Sequence, residues 1–137
     1  YMDARYENAI IRNGTQNTNV SNNQIESVPK WISRNGISIN TAKGSVSLLY
    51  SYVDKSYADA LNTFTPSATG ATGLVPSYQL VDLNATIPLS NVIKAQLNIN
   101  NLLDKSYFTK RPQFYPGPGI WPSDGRTISG TIFITIH

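Results

Sequence analysis

Apolar and polar residues alternate along most of this chain, in stretches of about ten residues separated by turn-forming residues. The clearest stretch is TISGTIFITIH, residues 127–137, where the even-numbered positions from Ile128 to Ile136 are isoleucine or glycine. On the opposite face Phe133 is the exception among Thr, Ser and His. A period of two residues is that of a β-strand with two unlike faces. The pattern therefore predicts an all-β chain of antiparallel strands.

Four earlier stretches show the same alternation. They are KWISRNGISI (30–39), SVSLLYSYV (45–53), YQLVDLNATI (78–87) and VIKAQLNIN (92–100). In all five stretches no charged residue falls on the more apolar face. A soluble antiparallel sheet with one wet face gives this pattern, and so does a transmembrane barrel with one face in lipid. Alternation alone leaves both architectures open.

The connections between these stretches favour the barrel. Short ones, NTAKG and PLSNV, alternate with connections of about twenty residues. Structureless connections of that length are unusual in a compact soluble domain, whereas short turns at one rim and long loops at the other are normal in outer-membrane barrels. Trp31 and Tyr52 fall at the long-loop rim, where such barrels carry an aromatic girdle.

An internal repeat gives the unit of construction. YMDARYENAI at residue 1 recurs as YVDKSYADAL at residue 52 and as LLDKSYFTKR at residue 102. The first two copies are each predicted to lead into a long loop, so that the repeating unit is one rising strand, a long loop, one falling strand and a tight turn. We expect the first rising strand to begin near Tyr1 and to continue through Ile11, which makes six strands. Membrane barrels need about eight or more strands, so the chain is expected to be a C-terminal piece of a larger barrel.

Composition disfavours several classes of function. Of 137 residues only 14% are charged, against roughly 25% in soluble domains. With one His and no Cys, structural zinc, disulfides and a cysteine nucleophile are not expected, and a scattered net charge of +3 does not indicate nucleic-acid binding. No apolar run is long enough for a transmembrane helix. Nothing in the sequence positions a substrate between carboxylates, so we expect no enzyme, no cofactor and no metal site.

The sequence NINNLLDKSYFTKRPQFYPGPGIWPSDGR, followed by an alternating final strand, resembles the C-terminal end of TonB-dependent outer-membrane receptors. The proline-rich part is similar to receptors of the ferric-citrate type, and the resemblance extends over nearly the whole chain. It implies an up-and-down barrel of about 22 strands around a plug domain, of which residues 1–137 would be about the last six strands, without the plug and the TonB box.

The same resemblance implies a location and partners. The receptor would lie in the bacterial outer membrane and take up a scarce nutrient, in the first place an iron(III)–siderophore or ferric-citrate-like chelate. The implied partners are outer-membrane lipid, the receptor's own plug domain, and the TonB complex through the absent N-terminal part.

The stretch YPGPGIWPSDGR, residues 115–126, is then the last extracellular loop, stiffened by proline and turned by glycine. Aromatic rings there offer flat apolar contacts, and arginine can grip a carboxylate with two hydrogen bonds. The candidate ligand-binding residues are Lys110, Arg111, Phe114, Tyr115, Trp121 and Arg126. The plain alternative is that these side chains only pack the loop onto its neighbours.

Two further alternatives remain open from the sequence. A soluble β-sandwich that binds carbohydrate would use Trp121 and the tyrosines as stacking platforms, and would bury Leu83 and Leu97 between two sheets. A purely structural porin piece is disfavoured by the stiff aromatic loop. Outer-membrane barrels usually end in an aromatic residue on the lipid face, whereas His137 falls on the polar face. We therefore expect one or more residues to follow His137.

Overall fold

The computed structural model describes residues 1–115 and 117–136, and its regular structure there is all β. No helix in those residues is long and apolar enough to cross a membrane. The all-β prediction is confirmed. The strands are β1 (Ile10–Asn13), β2 (Gln16–Asn19), β3 (Ile32–Thr41), β4 (Gly44–Val53), β5 (Ser56–Tyr57), β6 (Leu74–Val75), β7 (Tyr78–Pro88), β8 (Ile93–Asn100), β9 (Phe108–Lys110), β10 (Trp121–Pro122) and β11 (Thr127–Ile134).

Five long strands form one sheet, ordered β3-β4-β7-β8-β11, which is an up-and-down meander. Two residues join β3 to β4 and four join β7 to β8, whereas residues 54–77 and 101–126 connect the other neighbours. Because adjacent strands run in opposite directions, both short turns lie at one end of the sheet and both long connections at the other. The predicted asymmetry of short and long connections is confirmed.

The register places the apolar residues of neighbouring strands opposite one another. Directly paired residues of an antiparallel ladder project to the same face, so the isoleucines of β11 continue into an apolar face on β8 and β7. The pairs on this face are Ile128 with Ile99, Gly130 with Leu97, Ile132 with Ala95, Ile134 with Ile93, Leu83 with Ile99, Ala85 with Leu97, and Ile87 with Ala95.

The opposite face of the same three strands is polar. Asn98 pairs with Ser129 on β11 and with Asn84 on β7. Its amide nitrogen lies 3.5 Å from the Ser129 hydroxyl, and its side-chain oxygen accepts a hydrogen bond of 3.0 Å from the Gln96 amide. The side chains of this face therefore bond to one another across and along the strands.

The turn between β3 and β4 requires glycine. Thr41 donates its hydroxyl to the Gly44 carbonyl at 3.0 Å, and Gly44 has φ +136°. A Cβ atom on Gly44 would lie 2.3 Å from the carbonyl oxygen of Thr86. The approach of this backbone to β7 leaves no room for any side chain.

A second compact unit contains residues 1–32, 53–78 and 107–123, and we call it the loop unit. Its segments carry the two-stranded ladders β1-β2, β5-β6 and β9-β10. The prediction from the sequence that the long connections are structureless is wrong, because they carry these short ladders. Val20, Ala58 and Val75 are the buried apolar side chains among the described residues, and all three belong to this unit.

The expected first strand from Tyr1 to Ile11 is wrong. Residues 1–9 form no strand, and only Ile10 and Ile11 enter β1, which pairs with β2 of the same segment. The backbone of residues 2–9 forms hydrogen bonds with the backbone of residues 20–30; for example, the Met2 N–H donates to the Lys30 carbonyl at 2.9 Å. Asn8, at φ 47°, also interrupts any extended run. The described residues thus contribute five long strands rather than six.

Candidate functional site

The aromatic loop, residues 107–123, is built on the β9-β10 hairpin. Lys110 pairs with Trp121 across this hairpin. Among the described residues between the two strands, Gly119 donates its N–H to the Pro112 carbonyl at 3.3 Å. Five of the six predicted site residues therefore lie on one hairpin, namely Lys110, Arg111, Phe114, Tyr115 and Trp121.

Three aromatic rings of this loop are exposed. Phe114 keeps 89% of its surface in solvent, Tyr115 86% and Trp121 52%. Lys110 is also exposed, and the described residues provide no ion pair for it. Pro116, within the predicted Pro-Gly-Pro-Gly turn, lies outside the described residues. An open cavity of about 340 Å³ runs along the loop, lined by Pro112, Gly117, Pro118, Gly119, Ile120, Trp121 and Pro122.

Arg111 differs from its neighbours because its guanidinium is already engaged. Nε donates to the Leu74 carbonyl at 3.0 Å and Nη1 donates to the Gly70 carbonyl at 2.9 Å. The guanidinium carbon also lies 4.8 Å from the centre of the Phe108 ring, within range of a cation–π interaction. The side chain is half-buried. Arg111 thus ties the aromatic loop to the segment that ends in β6.

Arg126 lies in the other compact unit, which contains residues 33–52, 79–106 and those from 124 on. Its backbone N–H donates to Asp104 Oδ1 at 2.9 Å, and its guanidinium lies 3.9 Å from the Asp104 carboxylate and 3.4 Å from the Leu102 carbonyl. Asn101 closes the same turn, since its side chain bonds both the N–H and the carbonyl of Lys105. Asn101 and Asp104 both have φ 53°, a conformation that Asn and Asp tolerate best among residues with a side chain. The Asn-Leu-Leu-Asp stretch is therefore a tight turn.

Sequence reasoning missed the residues that hold the loop 53–78. The Asp59 carboxylate is buried and accepts hydrogen bonds from the N–H groups of Leu61, Thr63 and Gly73 and from the Thr63 hydroxyl. Aspartate bonding the backbone shortly after itself is an Asx-turn, and the Asp-x-x-Asn-Thr run was the available signal for it.

Two asparagines join this loop to the preceding one. Asn62 accepts from the Gln24 N–H at 2.7 Å and donates to the Gln24 carbonyl at 2.7 Å, as a paired strand residue would. Asn23 donates its amide to the Ala60 carbonyl at 2.8 Å. These bonds fix the first two long loops against each other. The sequence alone does not indicate which asparagines have partners.

Two groups in the first copy of the repeat, Asp3 and Tyr6 of YMDARYENAI, have shifted pKa values. The Tyr6 hydroxyl donates to the Glu26 carboxylate, and this hydrogen bond raises the pKa of Tyr6 to about 12. A hydrogen bond from Arg5 lowers the pKa of Asp3, with a smaller contribution from Lys30. Both effects stabilise the segment of residues 1–30, and neither points to catalysis.

Comparisons with known proteins agree with the fold. No family model matches the chain. Over 59 residues the chain is 44% identical to the probable TonB-dependent siderophore receptor PiuA of Acinetobacter baumannii, covering 43% of this chain and 7% of that protein.

Two solved structures are similar over most of the chain. The siderophore receptor PiuA from Acinetobacter baumannii superposes with a TM-score of 0.70 at 28% identity, covering 90% of this chain and 17% of that one. The ferric citrate transporter FecA in its unliganded form superposes with a TM-score of 0.70 at 20% identity, covering 83% and 18%. The chain thus spans less than a fifth of the length of each relative, and the resemblance seen in the sequence is confirmed.

Proposed function

We propose that this chain, which is a portion of the barrel of a TonB-dependent receptor, serves TonB-energised uptake of an iron(III) chelate across the bacterial outer membrane. The similar proteins support this reading, since one is named a siderophore receptor and another a ferric citrate transporter. That the plug and the TonB box lie in a part of the receptor outside these residues stays a prediction.

The observation that carries the proposal is the uncovered apolar face of the sheet. Ile128, Ile132 and Ile134 of β11 are 65%, 59% and 66% exposed. Removing each such side chain from water is favourable by about 1.5–3 kcal/mol of free energy. A face of this kind is therefore expected to be covered by an apolar environment. Lipid provides one for a strand that alternates apolar-out and polar-in.

The polar face would then line the lumen. Its Asn, Gln, Ser and Thr side chains bond to one another, as between Gln96 and Asn98. Such a surface suits a hydrated partner rather than hydrocarbon. We assign the receptor's own plug domain to this face and outer-membrane lipid to the other.

The soluble sandwich is not favoured by any feature of the described residues. The sheets formed by those residues, apart from the five-stranded one, are two-stranded. Leu97, which a sandwich would bury, is 40% exposed. The described part of the chain therefore shows no second sheet of the size that a sandwich requires.

The aromatic loop is the part of this chain that we assign to the ligand. Phe114, Tyr115 and Trp121 supply exposed rings, and Lys110 supplies a cation without an ion-pair partner among the described residues. Ferric citrate and many siderophore complexes are anionic and would use both kinds of contact. Arg126 has Asp104 as its partner, so we place it second to Lys110 as a ligand contact.

The test is uptake of radioactive iron by iron-starved cells that carry or lack the gene of the full receptor. Ferric citrate and a ferric catecholate would be supplied separately, and a protonophore would remove the energy for TonB. Energy-dependent uptake of one chelate that is lost with the gene and restored with it supports the proposal. Unchanged uptake of both chelates would contradict the iron assignment.

Two tryptophans offer a matched pair for the site. Trp121 and Trp31 are 52% and 49% exposed, but only Trp121 lies on the aromatic loop. We expect Trp121→Ala to weaken chelate binding by roughly ten- to a hundredfold, in the range of an interface anchor. Trp31→Ala should leave binding unchanged, because Trp31 is expected in the interfacial girdle. Equal effects of the two variants would remove the loop from the site.

A further inference from the structure

The loop unit is held together by hydrogen bonds more than by a hydrophobic core. Its buried apolar side chains among the described residues are Val20, Ala58 and Val75, too few to fix three long segments by packing. Side chains that bond the backbone of a neighbouring segment therefore decide where each segment lies.

Arg111 ties the aromatic loop to the preceding loop with two hydrogen bonds, of 3.0 Å and 2.9 Å, whereas Gln113 adds one longer bond of 3.4 Å to the Ala58 carbonyl. Arg111 donates to two carbonyls four residues apart on the preceding loop, those of Gly70 and Leu74, and it lies over the ring of Phe108, in the strand β9 that ends just before it. A guanidinium is planar and rigid. Bonds to two acceptors and a ring therefore fix its orientation as well as its position.

The backbones of the two loops also touch where Arg111 binds. A Cβ atom on Gly70 would lie 3.4 Å from Gly119 Cα and 3.7 Å from the Arg111 guanidinium. Gly70 has φ +75°, which glycine adopts without strain. Close glycine contact and the arginine tie thus act at the same place.

We propose that Arg111 is a positioning residue: it fastens the aromatic loop to the loop 53–78 before any ligand arrives, so that Phe114, Tyr115 and Trp121 form a preformed surface. A surface that is already ordered loses less conformational freedom on binding. The positioning role is independent of the ligand, and its benefit for affinity rests on the proposed function. Arg111 therefore acts through the loop rather than by gripping the chelate.

The first test measures loop motion in the full receptor without ligand. A nitroxide attached to cysteine at the exposed position 114 (Phe114→Cys) reports mobility, after removal of any other cysteine; this chain has none. Arg111→Ala should shorten the correlation time of the label several-fold, and Arg111→Lys should restore part of the order. Lys110→Ala is the matched control, because it removes a neighbouring cation that has no ion pair among the described residues, and it should leave the spectrum unchanged.

An unchanged spectrum in Arg111→Ala, or an equal change in Lys110→Ala, would overturn the proposal. If Arg111→Ala does not fold, hydrogen exchange of the unaltered ligand-free receptor decides instead. The Gly119 amide, which bonds the Pro112 carbonyl, should exchange slowly in a preformed loop. Fast exchange of that amide would contradict a preformed surface.

The second test measures binding of ferric citrate and of a ferric catecholate to the same variants. If the ordered loop falls to about a tenth of the population in Arg111→Ala, apparent affinity falls about tenfold. Weaker binding without a change in label motion would mean direct contact with the chelate, and would overturn the positioning role. If the label is mobilised but neither chelate binds the unaltered receptor, the positioning role stands and the iron assignment fails.

Discussion

Replacing Leu97 by arginine tests which face of the sheet meets lipid. Leu97 lies near the middle of β8, four residues from Ile93 and three from Asn100, or about 14 Å and 10 Å along a strand that rises 3.4 Å per residue. Its neighbours across the ladder are Gly130 and Ala85, too small to shield a charge.

The expected free-energy cost of Leu97→Arg follows from that position. An arginine on the lipid face near the bilayer midplane costs about 2–4 kcal/mol, or about 30- to 700-fold in the folding equilibrium. Gln96→Arg is the matched control, since Gln96 is the adjacent residue on the polar face. It loses one hydrogen bond, to Asn98, and should cost about 1 kcal/mol.

The assay is equilibrium urea unfolding of the full receptor in lipid vesicles, followed by tryptophan fluorescence and by the gel mobility of the folded barrel. We expect Leu97→Arg to lower the free energy of unfolding well below that of Gln96→Arg. A larger cost for Gln96→Arg, or equal costs for both variants, would show that the assignment of the faces is wrong.

Three further predictions concern the loops and a turn. The hydrogen bond with Glu26 raises the pKa of Tyr6 to about 12 from its ordinary 10.0. The stability that this hydrogen bond contributes is therefore present below pH 10 and is lost as pH rises through 12. Tyr6→Phe should remove one late step from the tyrosinate absorbance titration. Asp59→Asn should cost about 1–3 kcal/mol by leaving a buried N–H without its carboxylate, seen as faster local hydrogen exchange. Gly44→Ala should reduce the yield of folded barrel strongly, whereas Gly14→Ala, with positive φ but open space, should cost only about 1–2 kcal/mol in urea unfolding.

The sheet could be predicted from the sequence because the alternation of apolar and polar residues specifies which residues of neighbouring strands pair. Once Ile128, Ile132 and Ile134 share a face, a pairing shifted by one residue would place them opposite the polar residues of β8. The tight turns were equally readable, since NTAKG contains the glycine that the β3-β4 turn requires. The alternating stretches therefore predicted the five long strands of the sheet, their up-and-down order and their two faces.

The loop unit could not be predicted in the same way. Its segments meet through single side chains, such as Asn62 on Gln24 and Arg111 on Gly70, and no local periodicity marks such partners. The same reason accounts for the error at residues 1–9, whose backbone bonds go to residues 20–30 rather than to the sheet. Sequence reasoning did not separate Arg111, whose guanidinium is engaged, from the exposed candidates. The role of all six candidate residues in ligand binding stays a prediction.

The most direct measurement is the accessibility of nitroxide labels on adjacent residues of β8 and β11 in the full receptor in lipid vesicles. Labels at Leu97 and Ile132 on the apolar face would be compared with labels at Asn98 and Thr131 on the polar face. We expect oxygen, which concentrates in lipid, to relax the first pair more strongly, and we expect a water-soluble nickel chelate not to reach that pair. Labels on the apolar face that respond to nickel as strongly as those on the polar face would contradict a membrane barrel.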